Sequence, residues 1–174
     1  MRPKTQRGFS LIAAIFLLVV LALMGALIAS ITGMQQASGQ LDVSGMRAYE
    51  SARAGLEWGT YQVVDPGNAI NLAAGSCAAA GPTVCPTSPT NIASLAGSLS
   101  GFTVTVTCTL SANTTESNRN VRVFQLVASA CNQPWGGACP NNANPANGYV
   151  SRQVEATVSK CKDPTATMPR CSCG

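Results

Sequence analysis

Histidine is absent from this chain of 174 residues, and charged residues (10%) and aromatic residues (5%) are scarce. Without histidine, no Ser-His or Cys-His nucleophile pair can form, and the commonest side-chain metal ligand is missing. Only seven Asp and Glu residues are present, and the sequence contains neither a Cys-x-x-Cys pair nor a glycine-rich phosphate-binding motif. The composition therefore predicts a protein that is not an enzyme and has no metal site and no cofactor.

A strong excess of positive charge is also missing. The net charge is +4, but three of the 11 basic residues, Arg2, Lys4 and Arg7, precede Gly8. The rest of the chain carries eight basic residues against seven acidic ones. Because nucleic-acid binding depends on many Lys and Arg contacts to phosphates, we expect no nucleic-acid partner.

Charge is missing entirely from positions 8–40, and most positions up to Ile31 are apolar. A bilayer core of about 30 Å needs about 20 apolar helical residues, so this run predicts a transmembrane helix surrounded by lipid. Since basic residues stay on the cytoplasmic side, we expect the N-terminus inside and the rest of the chain outside. The alternative is a cleaved signal peptide, but its apolar core of about 7–15 residues is shorter than this run.

The apolar run begins with Arg7-Gly8-Phe9-Ser10-Leu11-Ile12, directly after the short basic segment. This boundary resembles the prepilin peptidase site of type IV pilins and type II secretion pseudopilins. The resemblance implies that the peptidase cuts after Gly8, that Phe9 becomes the N-methylated first residue of the mature chain, and that the apolar helix is retained. An ordinary membrane protein with a single span is the alternative.

One position departs from the pattern of that family. Most pilins have Glu at the fifth mature position, which is Ala13 in this chain. In the family this Glu neutralises the N-terminal amine of the neighbouring subunit, since a carboxylate in apolar surroundings is costly without a partner. Subunits that lack it resemble the tip-type pseudopilin, which has no subunit above it. We therefore expect a minor subunit at a fibre tip; the alternative is that Ala13 is merely tolerated.

Small residues recur every four positions in the later part of the span, at Gly25, Ala29 and Gly33. Such a stripe allows another helix to approach closely. The pilin resemblance implies that this helix belongs to another subunit. Ordinary flexibility from glycine in a membrane helix is the alternative interpretation.

The helix is expected to continue beyond the span. Residues 49–59 resemble the outer half of the stem helix of minor pilins, in particular the PilX and mannose-sensitive haemagglutinin (MSHA, MshP-type) group. We expect one helix from Phe9 to Val64, ended by the turn Asp65-Pro66-Gly67. Its outer packing face is predicted from the apolar residues Leu41, Met46, Tyr49, Leu56 and Tyr61.

All eight cysteines follow the span, on the side that we assign to the periplasm or cell exterior: Cys77, Cys85, Cys108, Cys131, Cys139, Cys161, Cys171 and Cys173. An even number in an oxidising compartment predicts a disulfide framework. About a hundred connectivities are possible, so the pairing stays open. Equal spacing, and a proline after the second cysteine, favour two local loops, Cys77–Cys85 and Cys131–Cys139.

Three strands are expected after a polar connecting segment. In residues 102–110 apolar residues alternate with threonine, which predicts a strand with its apolar side toward the helix and its threonines toward solvent. Residues 121–130 and 149–159 predict two further strands, and residues 111–120 a polar turn before the first of them. Trp135 lies in the loop between the last two strands. We expect it to pack over a disulfide; an exposed contact residue is the alternative.

Together these features predict an α+β fold of the type IV pilin-like kind. A long N-terminal helix, half of it transmembrane, would pack on a small antiparallel sheet of three or four strands that is stapled by disulfides. The expected parts are a prepilin leader (1–8), the transmembrane part of the helix (9–34), its outer part (35–64) and a β domain (65–174).

The resemblance implies a minor pilin or pseudopilin that primes or caps assembly of a type IV, MSHA-like pilus. A tip-type pseudopilin of a type II secretion system and a membrane-anchored adhesin acting through the Cys131–Cys139 loop are the alternatives. Expected partners are other major and minor pilin subunits, the prepilin peptidase, an inner-membrane assembly platform and membrane lipid. Before assembly the protein would cross the inner membrane once with its N-terminus in the cytoplasm, and afterwards it would lie in a pilus, at the cell surface or in the periplasm.

Overall fold

The computed structural model describes residues 9–64, 76–77, 84–93, 95–167 and 171–173. These residues form one long helix and four strands: α1 (Phe9–Val64), β1 (Thr90–Ile92), β2 (Thr103–Glu116), β3 (Arg119–Cys131) and β4 (Ser151–Lys162). A 3₁₀ turn, Gly97–Leu99, precedes β2. The chain divides into two compact units, the first ending at Asp42 and the second beginning at Val43.

The helix α1 has the bounds that the sequence predicts, Phe9–Val64. Leu, Ala and Met, which have high helix propensity, are frequent in its first half. The expected turn at Asp65-Pro66-Gly67 and the expected leader, residues 1–8, lie outside the described residues. Those two expectations therefore stay predictions.

The four strands form one antiparallel sheet in the order β1-β2-β3-β4. It contains the three predicted strands, and β1 adds a fourth beside β2. The expected polar turn over residues 111–120 is wrong, because β2 and β3 stay paired as far as Glu116 and Arg119. Thr114 and Thr115 favour strand here, and the hairpin closes at Ser117 and Asn118 with φ of 48° and 64°. Such values suit a tight hairpin turn, and Asn adopts them readily.

Within the second unit, α1 packs on the sheet through small residues. The buried residues of this part of the helix recur at three- and four-residue spacing: Gly45, Ala48, Ser51, Ala52, Gly55, Gly59 and Val63. The predicted packing face is wrong except for Leu56, which is half-buried and contacts the core. Its other members are exposed: Leu41, Met46, Tyr49 and Tyr61.

Two glycines set the distance between the helix and the sheet. A Cβ on Gly55 would overlap Val104 Cγ1, and a Cβ on Gly59 would lie 3.1 Å from Val106 Cγ1. Val104 and Val106 are fully buried or nearly so, and β-branched side chains have little rotamer freedom with which to give way. The valines of β2 therefore pack directly on the helix backbone, and a larger residue at Gly55 would push the two elements apart.

The core of the second unit consists of three clusters along α1. Ala48 packs with Phe102 and Val150, close to where α1 enters this unit. The next cluster along the helix comprises Ala52, Val104, Val106, Ala128 and Ala130. The last comprises Val63, Cys108, Phe124 and Leu126. The predicted inward side of β2 is confirmed for Val104, Val106 and Cys108, but Leu110 is exposed.

The opposite side of β2 differs from the prediction. Thr103 and Thr105 were expected to face solvent, but both are buried. The backbone N–H of Cys139 donates to Thr105 Oγ1 at 2.7 Å, and Thr105 Oγ1 donates to Asn91 Oδ1 at 2.8 Å. The loop between β3 and β4 therefore covers this part of the sheet, which strand periodicity alone does not reveal.

Four disulfides staple the second unit, and they use all eight cysteines: Cys77–Cys171, Cys85–Cys108, Cys131–Cys139 and Cys161–Cys173. Their Cα–Cα distances of 5.4–5.6 Å lie in the ordinary range for disulfides. The predicted local loop Cys131–Cys139 is confirmed.

The predicted loop Cys77–Cys85 is wrong. The segment that contains Cys85 runs back beside β2, where Ser88 Oγ accepts a hydrogen bond of 2.9 Å from the backbone N–H of Cys108. This arrangement places Cys85 next to Cys108, and Cys77 instead joins Cys171 near the end of the chain. Local spacing could not predict either pairing, because both depend on how distant segments meet.

Replacing Gly55 with Ala should destabilise the second unit. Overpacking against Val104 costs about 1–3 kcal/mol, and helix propensity returns about 1 kcal/mol. We expect the free energy of unfolding, measured in urea on the full-length protein in detergent, to fall by up to about 2 kcal/mol.

Gly39→Ala is the matched control, because nothing lies within 4 Å of the added Cβ in the same helix. This variant should keep or slightly raise the free energy of unfolding. Equal behaviour of the two variants would contradict the close helix–sheet contact.

Candidate functional site

The first unit presents an apolar helical surface. Apart from Val20, which is half-buried, the large apolar side chains of residues 11–31 are each 49–71% exposed within the chain. By length and composition, α1 is the one helix among the described residues that could cross a membrane. Burying a large aliphatic or aromatic side chain is worth roughly 1.5–3 kcal/mol. This surface therefore requires an apolar environment, which a bilayer or other helices could supply.

Polar side chains next to this surface are satisfied within the helix itself. Ser30 Oγ donates to the carbonyl oxygen of Leu27 at 2.9 Å, and Thr32 Oγ1 donates to that of Ile28 at 2.9 Å. Because these hydroxyls need no water, they are compatible with an apolar surrounding.

The predicted peptidase and neighbour-contact positions lie at the start of this unit. Gly8 lies outside the described residues, and Phe9 is the first residue of α1. Ala13 lies in α1 with its side chain exposed. Cleavage after Gly8, methylation of Phe9 and the role of Ala13 stay predictions.

The small-residue stripe Gly25, Ala29 and Gly33 lies in α1, one position per turn, and is exposed. Nothing lies within 4 Å of a Cβ placed on Gly25 or Gly33. No other segment among the described residues therefore occupies the space beside either glycine. That another subunit uses it stays a prediction.

In the second unit, the prediction that Trp135 packs over a disulfide is wrong, because its side chain is 66% exposed. It lies in the loop of residues 132–150, called the Trp135 loop below. Hydrogen bonds of 3.0 and 3.1 Å join the backbones of Trp135 and Ala138 in both directions, around Gly136 and Gly137 at φ of 60° and 81°. The Trp-Gly-Gly-Ala sequence, which allows this tight turn, was the signal that could have revealed it.

Side-chain amides brace the Trp135 loop. Asn132 Oδ1 accepts from the backbone N–H of Val150 at 2.9 Å. Asn141 Nδ2 donates to the carbonyl oxygen of Gln133 at 3.0 Å, and its backbone N–H donates to Tyr149 Oη at 2.9 Å. Together with the Cys131–Cys139 disulfide, these hydrogen bonds constrain the backbone of the loop that carries Trp135.

Ion pairs and hydrogen bonds organise the far end of β4. Asp163 Oδ1 accepts from Thr165 Oγ1 at 2.6 Å and from the Thr165 backbone at 2.8 Å, and Asp163 Oδ2 accepts from Arg119 Nε at 3.1 Å. The bonds from Thr165 are the main cause of a lowered pKa for Asp163, and Arg119 adds to it. Burial, followed by the charge of Arg122, lowers the pKa of Lys162. These groups tie the strand end to the tail and do not form an acid–base pair.

An open groove of about 700 Å³ lies between the end of α1 and the segment before β1. Its lining residues are Trp58, Gln62, Val84, Cys85, Pro86, Thr87, Pro89, Thr90 and Asn91. None of these side chains titrates near neutral pH, since Cys85 is in a disulfide. The groove therefore offers no side chain that could act as a general acid or base near neutral pH.

The described residues contain no group of three or more His, Cys, Asp or Glu side chains able to hold a metal ion. Every cysteine is in a disulfide and none is a free thiol. Two exposed surfaces are candidates for a function: the apolar segment of α1 and the Trp135 loop.

Comparison with protein-family models, with curated proteins and with solved structures finds no match to this chain.

Removing the disulfide that closes the longest loop should lower the free energy of unfolding more than removing the one that closes the shortest loop. Cys77–Cys171 spans 94 residues and Cys131–Cys139 spans 8. If stabilisation follows loop-closure entropy, Cys77→Ser/Cys171→Ser should lower the free energy of unfolding by about 2 kcal/mol more than Cys131→Ser/Cys139→Ser. Urea unfolding of the full-length protein in detergent measures the difference, and an equal or reversed order would contradict the pairing.

Proposed function

We propose that this chain is a minor subunit of the type IV pilin-like class, which primes or caps the assembly of a fibre. The observation that supports the proposal is that the two parts of α1 have different surroundings. In residues 11–31 nearly all of the large apolar side chains of α1 are exposed. From Gly45 onward the same helix is joined to a disulfide-stapled sheet through a face of small residues.

The first part of α1 suits a subunit that moves from lipid to protein surroundings. An apolar helix is stable in a bilayer, and the same side chains can pack against apolar helices of other subunits when the chain leaves the membrane. The stripe at Gly25, Ala29 and Gly33 would permit close helix contact. Before assembly, the proposed topology is a single crossing of the inner membrane with the N-terminus in the cytoplasm, where the prepilin peptidase and the assembly platform act.

Ala13 supports a position at the fibre tip. A subunit within the shaft would need a carboxylate near this point to meet the N-terminal amine of its neighbour. Alanine offers no such contact, so a second subunit would bind less well in that direction. A chain of this kind is suited to start or end a fibre.

A pseudopilin of the tip type in a type II secretion system is the second candidate. The same observation at Ala13 favours it, and the fold of the second unit is equally suited to it. The two candidates differ in where the assembled protein is found: on surface fibres, or in a short periplasmic assembly that promotes export of cargo.

Labelling of fibres tests the proposed position. An epitope inserted at the exposed hairpin turn Ser117-Asn118 should leave the sheet intact. Immunogold labelling of sheared fibres should then show gold at one end of a fibre and almost none along the shaft. Label along the whole shaft would contradict the tip position. Absence from all fibres, with loss of cargo export on deletion, would favour the secretion pseudopilin.

The epitope-tagged Ala13→Glu variant is the matched comparison. A carboxylate at this position should allow a further subunit to bind, so part of the label should move from the end into the shaft. If the absence of Glu plays no role, the two labelling patterns will be the same.

A further inference from the structure

At the end of the second unit that contains its first helical turns, a small apolar cluster and an arginine lie against α1. We call this end the proximal end: it comprises Gly45, Ala48, Phe102, Val150 and Arg152. Ala48, Phe102 and Val150 form one apolar cluster. The guanidinium of Arg152 lies 3.2 Å from the position of a Cβ on Gly45. Both contacts involve the first turns of α1 within this unit.

The Trp135 loop leaves and rejoins the sheet at this proximal end. Thr103 at the start of β2 pairs with Cys131 at the end of β3, and Cys131 pairs with Ser151 at the start of β4. The loop connects Cys131 to Ser151, so both of its ends are fixed beside Phe102 and Val150. The loop that carries the exposed indole of Trp135 is therefore attached to the sheet at the proximal end.

The Trp135 loop lacks charge completely, since residues 132–150 contain no Asp, Glu, Lys or Arg. Its exposed residues are Trp135, glycines, prolines, alanines and amides. Among charged residues of the incoming helix and the proximal end, Arg47 and Arg152 are balanced by Asp42 and Glu50, and all four are exposed. A partner that is recognised by strong charge is therefore disfavoured.

Chain connectivity limits which partner is closest. Ile31 is the last exposed large apolar residue of the run, and the second unit begins 12 positions later, at Val43. Along the chain, only these 12 residues, about 18 Å of helix, separate the anchoring run from the second unit. Tryptophan is enriched at membrane interfaces, because the ring is apolar and its N–H can bond to water or headgroups.

We propose that the Trp135 loop is a second membrane contact, which inserts the indole into the headgroup region of a zwitterionic phospholipid surface while the subunit is unassembled. Membrane contact would cost little conformational entropy, because the turn around Gly136 and Gly137 is already formed in the hydrogen-bonded loop. The contact rests on the membrane crossing by α1 proposed above and does not depend on pilus assembly. It would hold the second unit against the membrane until neighbouring subunits displace it.

The chain's two tryptophans allow a direct test. Trp58→Phe leaves Trp135 as the single indole, and Trp135→Phe leaves Trp58. Trp58 lies 15 positions after Val43, about 22 Å further along α1, so it serves as an internal reference away from the proximal end. Both full-length variants would be reconstituted into phosphatidylcholine vesicles with or without bromine on the upper acyl chain.

Brominated lipid should quench the emission of Trp135 several-fold more strongly than that of Trp58, and soluble iodide should quench Trp135 weakly. Equal quenching of both residues by bromine, or strong quenching of Trp135 by iodide alone, would overturn the membrane contact and point to a soluble or protein partner.

Carbonate washing of the same vesicles separates the two proposals. Loss of the protein from washed vesicles would overturn the membrane crossing and this contact together, whereas retained protein with unquenched Trp135 would overturn the contact alone.

Discussion

The close contact between α1 and β2 is the constraint on which the second unit depends. Gly55 and Gly59 bring the helix backbone against Val104 and Val106 with no side chain between them. Glycine within a helix lowers helix stability by about 1 kcal/mol relative to alanine. The close helix–sheet packing that these two glycines permit offsets this cost. The short distance lets small side chains, such as Ala52 and Ala128, complete a core that contains few aromatic residues.

The same contact explains what remains outside the core. Because small residues form the inner face of the helix, Met46 and Tyr61 lie on its exposed side. A core of this size offers limited hydrophobic stabilisation, and four disulfides supplement it by linking the sheet, the connecting segment and the tail. The result is a domain held by the close contact of its helix and sheet and by disulfides, while most large apolar side chains in the first part of the helix are exposed among the described residues.

Local patterns in the sequence predicted those features that depend on neighbouring residues. The pilin resemblance predicted the start of α1 at Phe9, turn residues predicted its end, alternation predicted the strands, and short spacing predicted the Cys131–Cys139 loop. The features that failed depend on distant segments. Hydrophobicity selected large residues as the packing face, but the interface is built from Gly and Ala, which carry little hydrophobic signal. Pairing of Cys77 with Cys171 follows from the path of the chain, and burial of Thr105 follows from the Trp135 loop above it.

We propose that α1 begins, in the mature protein, as the processed N-terminus of a pilin-like subunit. Mass analysis of the N-terminal peptide, on protein isolated from its own cells with and without the prepilin peptidase, tests this most directly. We expect a chain that starts at N-methylated Phe9 when the peptidase is present and keeps residues 1–8 when it is absent. A start at Met1 in both strains, or a cut after Ala29 as for a signal peptide, would contradict it.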